Sequence, residues 1–219
     1  MERTGMNKLA IIGAGGHGRV IADIARKNGY NEIEFLDDNE NVQKCGDYPV
    51  VGKCCEAEKI DADVIVAIGD KKIRKQITAT ISDDKLVTLI HPNATVAENV
   101  IIGRGTVVMA GAVINPGAVI GAGCIINTCS SVDHDCSIGD YVHVAVGSHL
   151  CGAVSVGNET LIGAGAMVVN NINITSDCIV GAGTVVIRDI KESGTYVGVP
   201  ARKMTPNMQN GCVWGGYSL

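Results

Sequence analysis

The sequence predicts two units: a small Rossmann-like α/β domain over residues 1–90, then an all-β parallel β-helix of hexapeptide repeats over residues 91–204. Two patterns predict this. An aliphatic residue returns at every sixth position through the C-terminal half, and strands alternate with helices around a glycine-rich loop in the N-terminal half. Composition agrees, because 28 glycines with only 3% aromatic residues leave small and β-branched side chains to fill the core.

The N-terminal unit begins with a short apolar strand at residues 8–12. A helical stretch follows at 19–28, a second strand at 33–36, a third at 62–68 and a second helical stretch at 71–81. Strands that alternate with helices in this way are typical of a small parallel sheet.

The loop after the first strand carries the spacing Gly13-x-Gly15-x-x-Gly18, and Asp37 follows nineteen residues after Gly18. This matches the dinucleotide fingerprint with its ribose-binding acid. Three interpretations stay open: a nucleotide-sugar site, an NAD site and a purely structural tight turn. The unit has about half the size of a full dinucleotide fold. A nucleotide-sugar presents the same pyrophosphate to a helix N-terminus, and it is therefore the favoured ligand.

The repeat of the C-terminal half runs without an insertion over 90 residues. Its aliphatic positions are Val96, Ile102, Val108, Ile114, Ile120, Ile126, Val132, Ile138, Val144, Leu150, Val156, Ile162, Val168, Ile174, Val180 and Val186. An amphipathic helix needs a period of 3.6 and a half-buried strand a period of 2, so both are excluded. The period predicts a triangular β-helix of about five 18-residue coils. Gly, Asn, Asp or Ala often follows the aliphatic residue, which predicts a positive φ at that position.

One stretch of the repeat, residues 127–136, is richer in polar groups than its neighbours. His134 is the candidate general base, since a neutral imidazole can accept a proton near pH 7. Asp133 and Asp135 flank it, and Asp135 is the predicted partner that fixes its tautomer. The alternative is that His134 is a surface corner histidine.

Two other chemistries are weighed against a histidine base. Cys129 and Cys136 lie near His134, so a covalent route through a thiol is the alternative to a histidine base. A zinc site through His143 and His149 is disfavoured, because residues six apart fall on different sides of the triangle. No metal is expected.

Composition excludes several classes of partner. A net charge of −5 without a basic cluster argues against nucleic acid and anionic membranes. The apolar runs are too short to span a bilayer, and the N-terminus lacks a signal-peptide pattern, so a cytoplasmic protein without membrane insertion is expected. The nine scattered cysteines are interpreted as reduced apolar fillers. Residues 205–219 form a tail without a recognisable pattern.

Matching motifs occur in both halves of the chain and in the same order as in one known family. They are GAGGHGRV at 13–20, FLDD at 35–38, AIGD at 67–70, LIHPNA at 89–94, NTCSSVDHDCSIGDYVHVAVG at 127–147 and YVGVPARKM at 196–204. The chain thereby resembles the hexapeptide-repeat sugar acyltransferases, which include the UDP-4-amino-sugar N-acetyltransferases of bacillosamine synthesis and the sialic acid O-acetyltransferases. The resemblance covers residues 8–204.

The resemblance implies a left-handed β-helix and a homotrimer with acetyl-CoA lying between neighbouring subunits. It implies direct transfer of an acetyl group to a nucleotide-linked amino sugar of the UDP-4-amino type, with O-acetylation of a sialic acid as the alternative. It makes His134 the base and Asp135 its partner, where the bacillosamine enzymes carry Glu. The implied nucleotide-sugar residues are Gly15, Gly16, His17, Asp37, Asp38 and Gly69. The implied acetyl-CoA residues are Asn127, His143, Gly152, Ala164 and Ala182.

Overall fold

The computed structural model describes residues 8–205, so the remainder of the predicted tail lies outside the described residues. The N-terminal unit is a five-stranded sheet with helices packed against it. Its elements are β1 (Lys8–Ile12), α1 (Gly16–Lys27), β2 (Glu32–Leu36), β3 (Lys44–Cys45), β4 (Tyr48–Gly52), a 3₁₀ helix (Cys54–Lys59), β5 (Asp63–Val66) and α2 (Lys71–Thr78). In this part of the chain neither α-helix, of twelve and eight residues, is long and apolar enough to cross a membrane.

The sheet has the strand order β3-β4-β2-β1-β5, in which β4, β2, β1 and β5 are parallel and only β3 is antiparallel. The predicted parallel sheet is thus confirmed. The sequence did not predict the β3–β4 hairpin, whose strands alternate between buried and exposed residues only weakly. Side chains of β1 are almost fully buried because helices or coils cover both faces of the sheet.

The glycine-rich loop is shorter than predicted, since α1 begins at Gly16 rather than at Arg19. Gly13 has a φ of +105°, which favours glycine. Gly18 lies inside the first turn of α1, where an added Cβ would stand 2.1 Å from the carbonyl oxygen of Gly13. The first and third glycines therefore set the turn and the close packing of helix on strand, as the fingerprint predicts.

The C-terminal unit is a parallel β-helix with three sides. Side 1 stacks Leu89–Ile90, Val107–Val108, Ile125–Ile126, His143–Val144, Leu161–Ile162 and Cys178–Val180, and ends with Gly194–Val197 and Arg202–Lys203. Side 2 stacks Thr95–Val96, Val113–Ile114, Ser131–Val132, His149–Leu150, Met167–Val168 and Val185–Val186. Side 3 stacks Ile101–Ile102, Val119–Ile120, Ser137–Ile138, Ser155–Val156 and Asn173–Ile174. Each strand pairs in parallel with the strand 18 residues later.

The core of the β-helix is the column of aliphatic residues that the repeat predicts. Every repeat position from Val108 to Val186 is buried, and Val96 and Ile102 at the N-terminal end are half-buried. Small residues share the interior, including Cys124, Cys136 and Cys178, and the eight cysteines that the structure describes are free thiols. The interpretation of buried cysteines as apolar fillers therefore holds for these three.

The predicted phase of the corners is wrong. Positive φ values occur two residues later than predicted, at every sixth residue from Gly105 to Gly183, and seven of these residues are not glycine. A non-glycine residue in this conformation costs about 1–2 kcal/mol. Main-chain bonds to the preceding coil offset the cost, as where the amide of Ala153 donates to the carbonyl of His134 at 2.9 Å. The glycines that follow the aliphatic residues serve close approach instead, because a Cβ on Gly103 would stand 2.5 Å from the next coil.

The N-terminal unit packs on side 1 at the start of the β-helix. Leu89, Val107 and Ile125 point outward from side 1, and they belong to the same buried cluster as the apolar residues of β1 and α1. The next outward residue on this side is His143, which pairs in register with Ile125. On side 1 the contact between the two units is therefore followed directly by the polar residue His143.

Candidate active site

His134 lies on an exposed corner that follows side 2, named here corner 2–3. Its Nδ1 is 2.9 Å from Oδ2 of Asp135. An ionised carboxylate only accepts, so Nδ1 donates the hydrogen and Nε2 is left with a free lone pair. The side chains of His134 and Asp135 are 60% and 70% exposed, so a substrate can reach them. The main-chain amide of His134 also donates to Oδ1 of Asp133 at 2.8 Å, which fixes the backbone of the corner.

Two glycines make room for this histidine and aspartate, each one coil away. An added Cβ on Gly152 would stand 2.4 Å from Nε2 of His134, and one on Gly117 would stand 2.5 Å from Oδ1 of Asp135. Gly117 was not predicted, although its position 18 residues before Asp135 could have indicated it. The imidazole thus reaches the next coil, with Nε2 at Gly152.

The carboxylates raise the pKa of His134 above its usual value. The largest cause is the hydrogen bond to Asp135, followed by the charge of Asp133, and both favour the protonated ring. Because a general base must be neutral, the higher pKa gives a stronger base that is available over a narrower range of pH.

Asn127 and His143 form a second polar pair, on side 1 and the corner that follows it, named corner 1–2. The amide nitrogen of Asn127 lies 3.0 Å from Nε2 of His143, so the ring accepts there. Burial, with the charge of Arg74 as a smaller cause, lowers the pKa of His143 to about 3. His143 is therefore neutral at every ordinary pH and offers hydrogen bonds rather than charge.

His17 contributes a polar atom to the boundary between the two units. Its Nε2 is buried and has no hydrogen-bond partner within residues 8–205. Burial lowers its pKa to about 4, and its electrostatic influence reaches His143. A cavity of about 100 Å³ lies at the same boundary, lined by Gly69 from the N-terminal unit and by Tyr141 and His143 from the β-helix. The structure thus gathers predicted residues from both units around one cavity.

The predicted nucleotide loop is open at its glycines. A Cβ on Gly15, Gly16 or Gly69 would meet nothing within 4 Å, and no side chain caps the N-terminus of α1. Backbone amides at this helix end can therefore face an anion. The two acids are already engaged: Asp37 accepts the amides of Ala14 and Asn39, and Asp38 accepts that of Cys54. Each carboxylate keeps lone pairs for a further donor.

Ala164 and Ala182 lie on corner 1–2, near the C-terminal end of the helix. They line an apolar cavity of about 420 Å³, together with Leu161 and Ile179 of side 1 and Val197 after the last coil. A long flexible ligand with an apolar arm fits such a surface, because small corner residues let it lie close to the backbone.

One chain does not bring all the predicted residues together. Asn127, Ala164 and Ala182 share corner 1–2, whereas His134 and Gly152 lie on corner 2–3. The whole width of side 2 separates the two corners. Within a single subunit His134 and the second polar pair therefore lie at different corners of the triangle.

A zinc site at His143 and His149 and a nucleophilic Cys136 find little support in the geometry, whereas Cys129 is exposed. His143 and His149 lie on different sides, as predicted, and His149 bonds to Ser131 Oγ at 2.9 Å. Within residues 8–205 no cluster of three or more metal-ligating side chains is found. Cys136 points into the core, and burial raises the pKa of its thiol, which disfavours a thiolate nucleophile there.

Comparison with known proteins places this geometry in a family. Residues 8–81 match the PglD N-terminal domain. The chain is 31% identical over 161 residues to a GDP-perosamine N-acetyltransferase of Escherichia coli O157:H7, covering 69% of this chain and 73% of the relative. It is 40% identical over 109 residues to a UDP-N-acetylbacillosamine N-acetyltransferase of Bacillus subtilis, covering 46% of this chain and 50% of the relative.

A solved structure extends the match to nearly the whole chain. It is the acetyltransferase domain of PglB from Neisseria gonorrhoeae FA1090 in complex with acetyl coenzyme A, at 41% identity and a TM-score of 0.87. The alignment covers 91% of this chain and 100% of that one. The chain therefore belongs to the hexapeptide-repeat family of sugar N-acetyltransferases, and it is an acyltransferase.

Proposed function

We propose that this protein transfers the acetyl group of acetyl-CoA to the amine of a nucleotide-linked amino sugar, of the UDP-4-amino type, in the cytoplasm. The observation that carries the proposal is the exposed His134, whose Nδ1 is held by Asp135 and whose Nε2 is free. In this proposal residues 1–90 bind the nucleotide-sugar, and residues 91–204 bind acetyl-CoA and carry the chemistry.

The open glycine loop supports a nucleotide-linked acceptor. Gly15 and Gly16 leave space at the N-terminus of α1, where backbone amides and the helix dipole favour a diphosphate. Gly69 extends this surface to the cavity beside His143, and His17 acts electrostatically on His143. The named relatives act on GDP-perosamine and on UDP-N-acetylbacillosamine, so the UDP type is the finer hypothesis and a GDP-linked sugar is its rival.

The chemistry needs only one proton carrier. Nε2 of His134 takes a proton from the sugar amine as the amine nitrogen attacks the thioester carbonyl carbon. The tetrahedral intermediate collapses with loss of the CoA thiolate, and the imidazolium returns the proton to that sulfur. Asp135 stabilises the imidazolium in between, and a backbone amide of the corners is the proposed donor to the oxyanion.

The complete site is proposed to form between subunits of a homotrimer. Corner 2–3 of one subunit supplies His134, Asp135 and Gly152, and its neighbour supplies Asn127 from corner 1–2 and His143 from side 1. Side 2 faces the threefold axis in this arrangement, since it joins the two corners. Three such heterologous contacts, related by a threefold rotation, form a closed ring.

A shared site predicts complementation between two inactive variants. His134→Ala and His143→Ala each damage one half of the site, and co-expression gives mixed trimers in which some sites combine the two intact halves. With equal expression and random mixing, half of the subunits carry an intact His134 and half of their neighbours carry an intact His143. About a quarter of the sites, and of wild-type activity, is therefore restored. The measurement is acetyl transfer by the purified mixed trimers. Activity that stays at the level of the separate variants would place the whole site within one chain.

The proposal also predicts the pH dependence of the reaction. His134 must be neutral to act, and its pKa is raised mainly by Asp135, so kcat/KM falls on the acid side through that raised pKa. Asp135→Asn removes the largest cause and moves the acid limb to lower pH, with a lower plateau because the ring loses its orientation. Asp133→Asn is the matched control and shifts the limb less. An acid limb unchanged in Asp135→Asn would contradict the pairing.

The test of the function is thiol release from acetyl-CoA with a panel of acceptors. UDP- and GDP-linked 4-amino sugars, the corresponding 4-hydroxy sugars and free sialic acid are compared at equal concentration. Release with the UDP-4-amino sugars above all others is expected. Preference for GDP-linked sugars corrects the nucleotide, release with sialic acid supports O-acetylation, and no release with any acceptor overturns the proposal.

A further inference from the structure

Helix α2 joins the N-terminal unit to the β-helix through a polar face. Lys71, Arg74, Lys75 and Thr78 lie on one side of it, at the spacing i, i+3, i+4 and i+7. Lys71 Nζ donates to the carbonyl of Glu159 at 2.6 Å, and Lys75 Nζ lies 2.5 Å from its carboxylate. Contacts between two units more often use apolar side chains. The polar face of α2 therefore suggests a role beyond holding the two units together.

Arg74 is the centre of this face and is only 1% exposed. Its Nη1 donates to the carbonyls of Ile68 and Gly69, both at 2.8 Å, in the loop just after β5. Its Nε and Nη2 donate to the carbonyls of Gly123 and Tyr141, also at 2.8 Å, in two successive coils. One planar group thus binds the N-terminal unit on one edge and the β-helix on the other.

All four described hydrogen bonds of Arg74 go to main-chain carbonyls rather than to a carboxylate. A buried guanidinium is costly, and apolar residues of similar volume would join the two units at less cost. What the guanidinium adds is geometry, because its rigid fork fixes the direction of each bond. Lysine, with a compact ammonium, cannot reproduce four such bonds in one plane.

The carbonyls that Arg74 holds belong to residues at the proposed site. Gly69 and Tyr141 line the cavity beside His143, one from each unit. Their separation is therefore set by the two edges of the same guanidinium. We propose that Arg74 is a positioning residue, which holds the nucleotide-sugar loop at Gly69 at a fixed distance from the acetyl-transfer surface of the β-helix. This inference rests on the proposed function, since it assigns Gly69 to the acceptor.

The experiment compares Arg74→Lys and Arg74→Met with Lys75→Met in the full-length protein. Lys75 is the matched control, because it lies on the same helix face and makes an exposed ion pair that contributes little. Steady-state kinetics give kcat and the KM for each substrate, and calorimetry gives the Kd of acetyl-CoA and of UDP and GDP. Circular dichroism on heating shows which variants are folded.

A positioning role predicts a split between the two substrates. In Arg74→Lys we expect kcat/KM for the nucleotide-sugar to fall on the order of tenfold, because a small displacement of a bound reactant is costly. We expect the Kd of acetyl-CoA to stay at the wild-type value, and Lys75→Met to match wild type throughout. Two results would overturn the inference. One is an equal weakening of acetyl-CoA binding and of kcat/KM for the nucleotide-sugar, and the other is an unchanged kcat/KM in a folded Arg74→Lys. If neither Arg74 variant folds, the residue is structural and the inference is also overturned.

Binding of UDP and GDP separates this inference from the proposed function. A wild-type protein that binds a nucleotide but acetylates no acceptor would remove the proposed function. The positioning role would then be decided by nucleotide affinity alone, which should weaken in Arg74→Lys and remain unchanged in Lys75→Met. An unchanged affinity in Arg74→Lys would remove the positioning role as well.

Discussion

Replacing His134 by alanine is expected to lower kcat by about 10² to 10⁴, the range that general base catalysis contributes. The side chain is 60% exposed and does not belong to the buried core, so the substitution removes the proton acceptor and leaves the fold intact. Acetyl-CoA and nucleotide-sugar should bind as in wild type. The measurements are acetyl transfer at saturating substrate and calorimetric Kd values for both substrates.

His149→Ala provides the matched control for that substitution. His149 lies one strand later on side 2 and bonds to a serine hydroxyl rather than a carboxylate, so its loss should leave turnover largely unchanged. Near-normal kcat in His134→Ala would remove the base assignment and return His134 to a surface corner residue. A large loss in both variants would instead indicate that the surface of side 2 had been disturbed.

Replacing Gly152 by alanine is expected to lower kcat by about 10²-fold although Gly152 carries no reactive group. The new methyl group would stand 2.4 Å from Nε2 of His134 and must push the ring away from its place. Gly152 is not among the residues with positive φ, so alanine strains no backbone there. A displacement of about 1 Å is enough to cost such a factor. Kinetics and a thermal unfolding curve measure the loss of rate and the retained stability.

A double-mutant cycle tests the cause of that loss. If Gly152 acts only by making room for the imidazole, Gly152→Ala has no further effect in a His134→Ala background. If instead Gly152 lets the pantetheine arm approach the backbone, the KM for acetyl-CoA rises equally in both backgrounds. The second result would support the role that the resemblance implies for Gly152 and contradict the steric one.

The interior of the β-helix could be predicted from sequence because one physical demand recurs at every sixth residue. Val108 and the later repeat positions face a core that admits only an aliphatic side chain, so the six-residue period is visible in the sequence. The corners were harder. Glycines such as Gly103 are conspicuous in the sequence. They are required because the next coil, 18 residues later, leaves no room for a Cβ, and not because their own φ is positive. Local composition does not separate these two causes.

The candidate site was predictable where chemistry depends on neighbours in sequence. Asp135 adjoins His134, and the hydrogen bond between them follows from that proximity. Arg74 escaped prediction because its partners are main-chain carbonyls, one pair close in the chain and the other about 50 to 70 residues away. Every residue type has a main-chain carbonyl, so the sequence does not show which residues accept these hydrogen bonds. The separation of His134 from Asn127 by one side of the triangle was implicit in the repeat.

In the stacked coils, residues that are 18 positions apart in the sequence lie directly above one another. Gly152 stands over His134, Gly117 beneath Asp135, and Asn115 bonds to Asp133 at 2.7 Å across the same interval. Loss of one residue within the stack would shift every later side chain out of phase with the coil below. Gain of a whole coil outside these three coils would preserve each of these vertical neighbours. In evolution or redesign, this half of the molecule should therefore tolerate the gain or loss of complete coils better than single-residue changes of length within a strand.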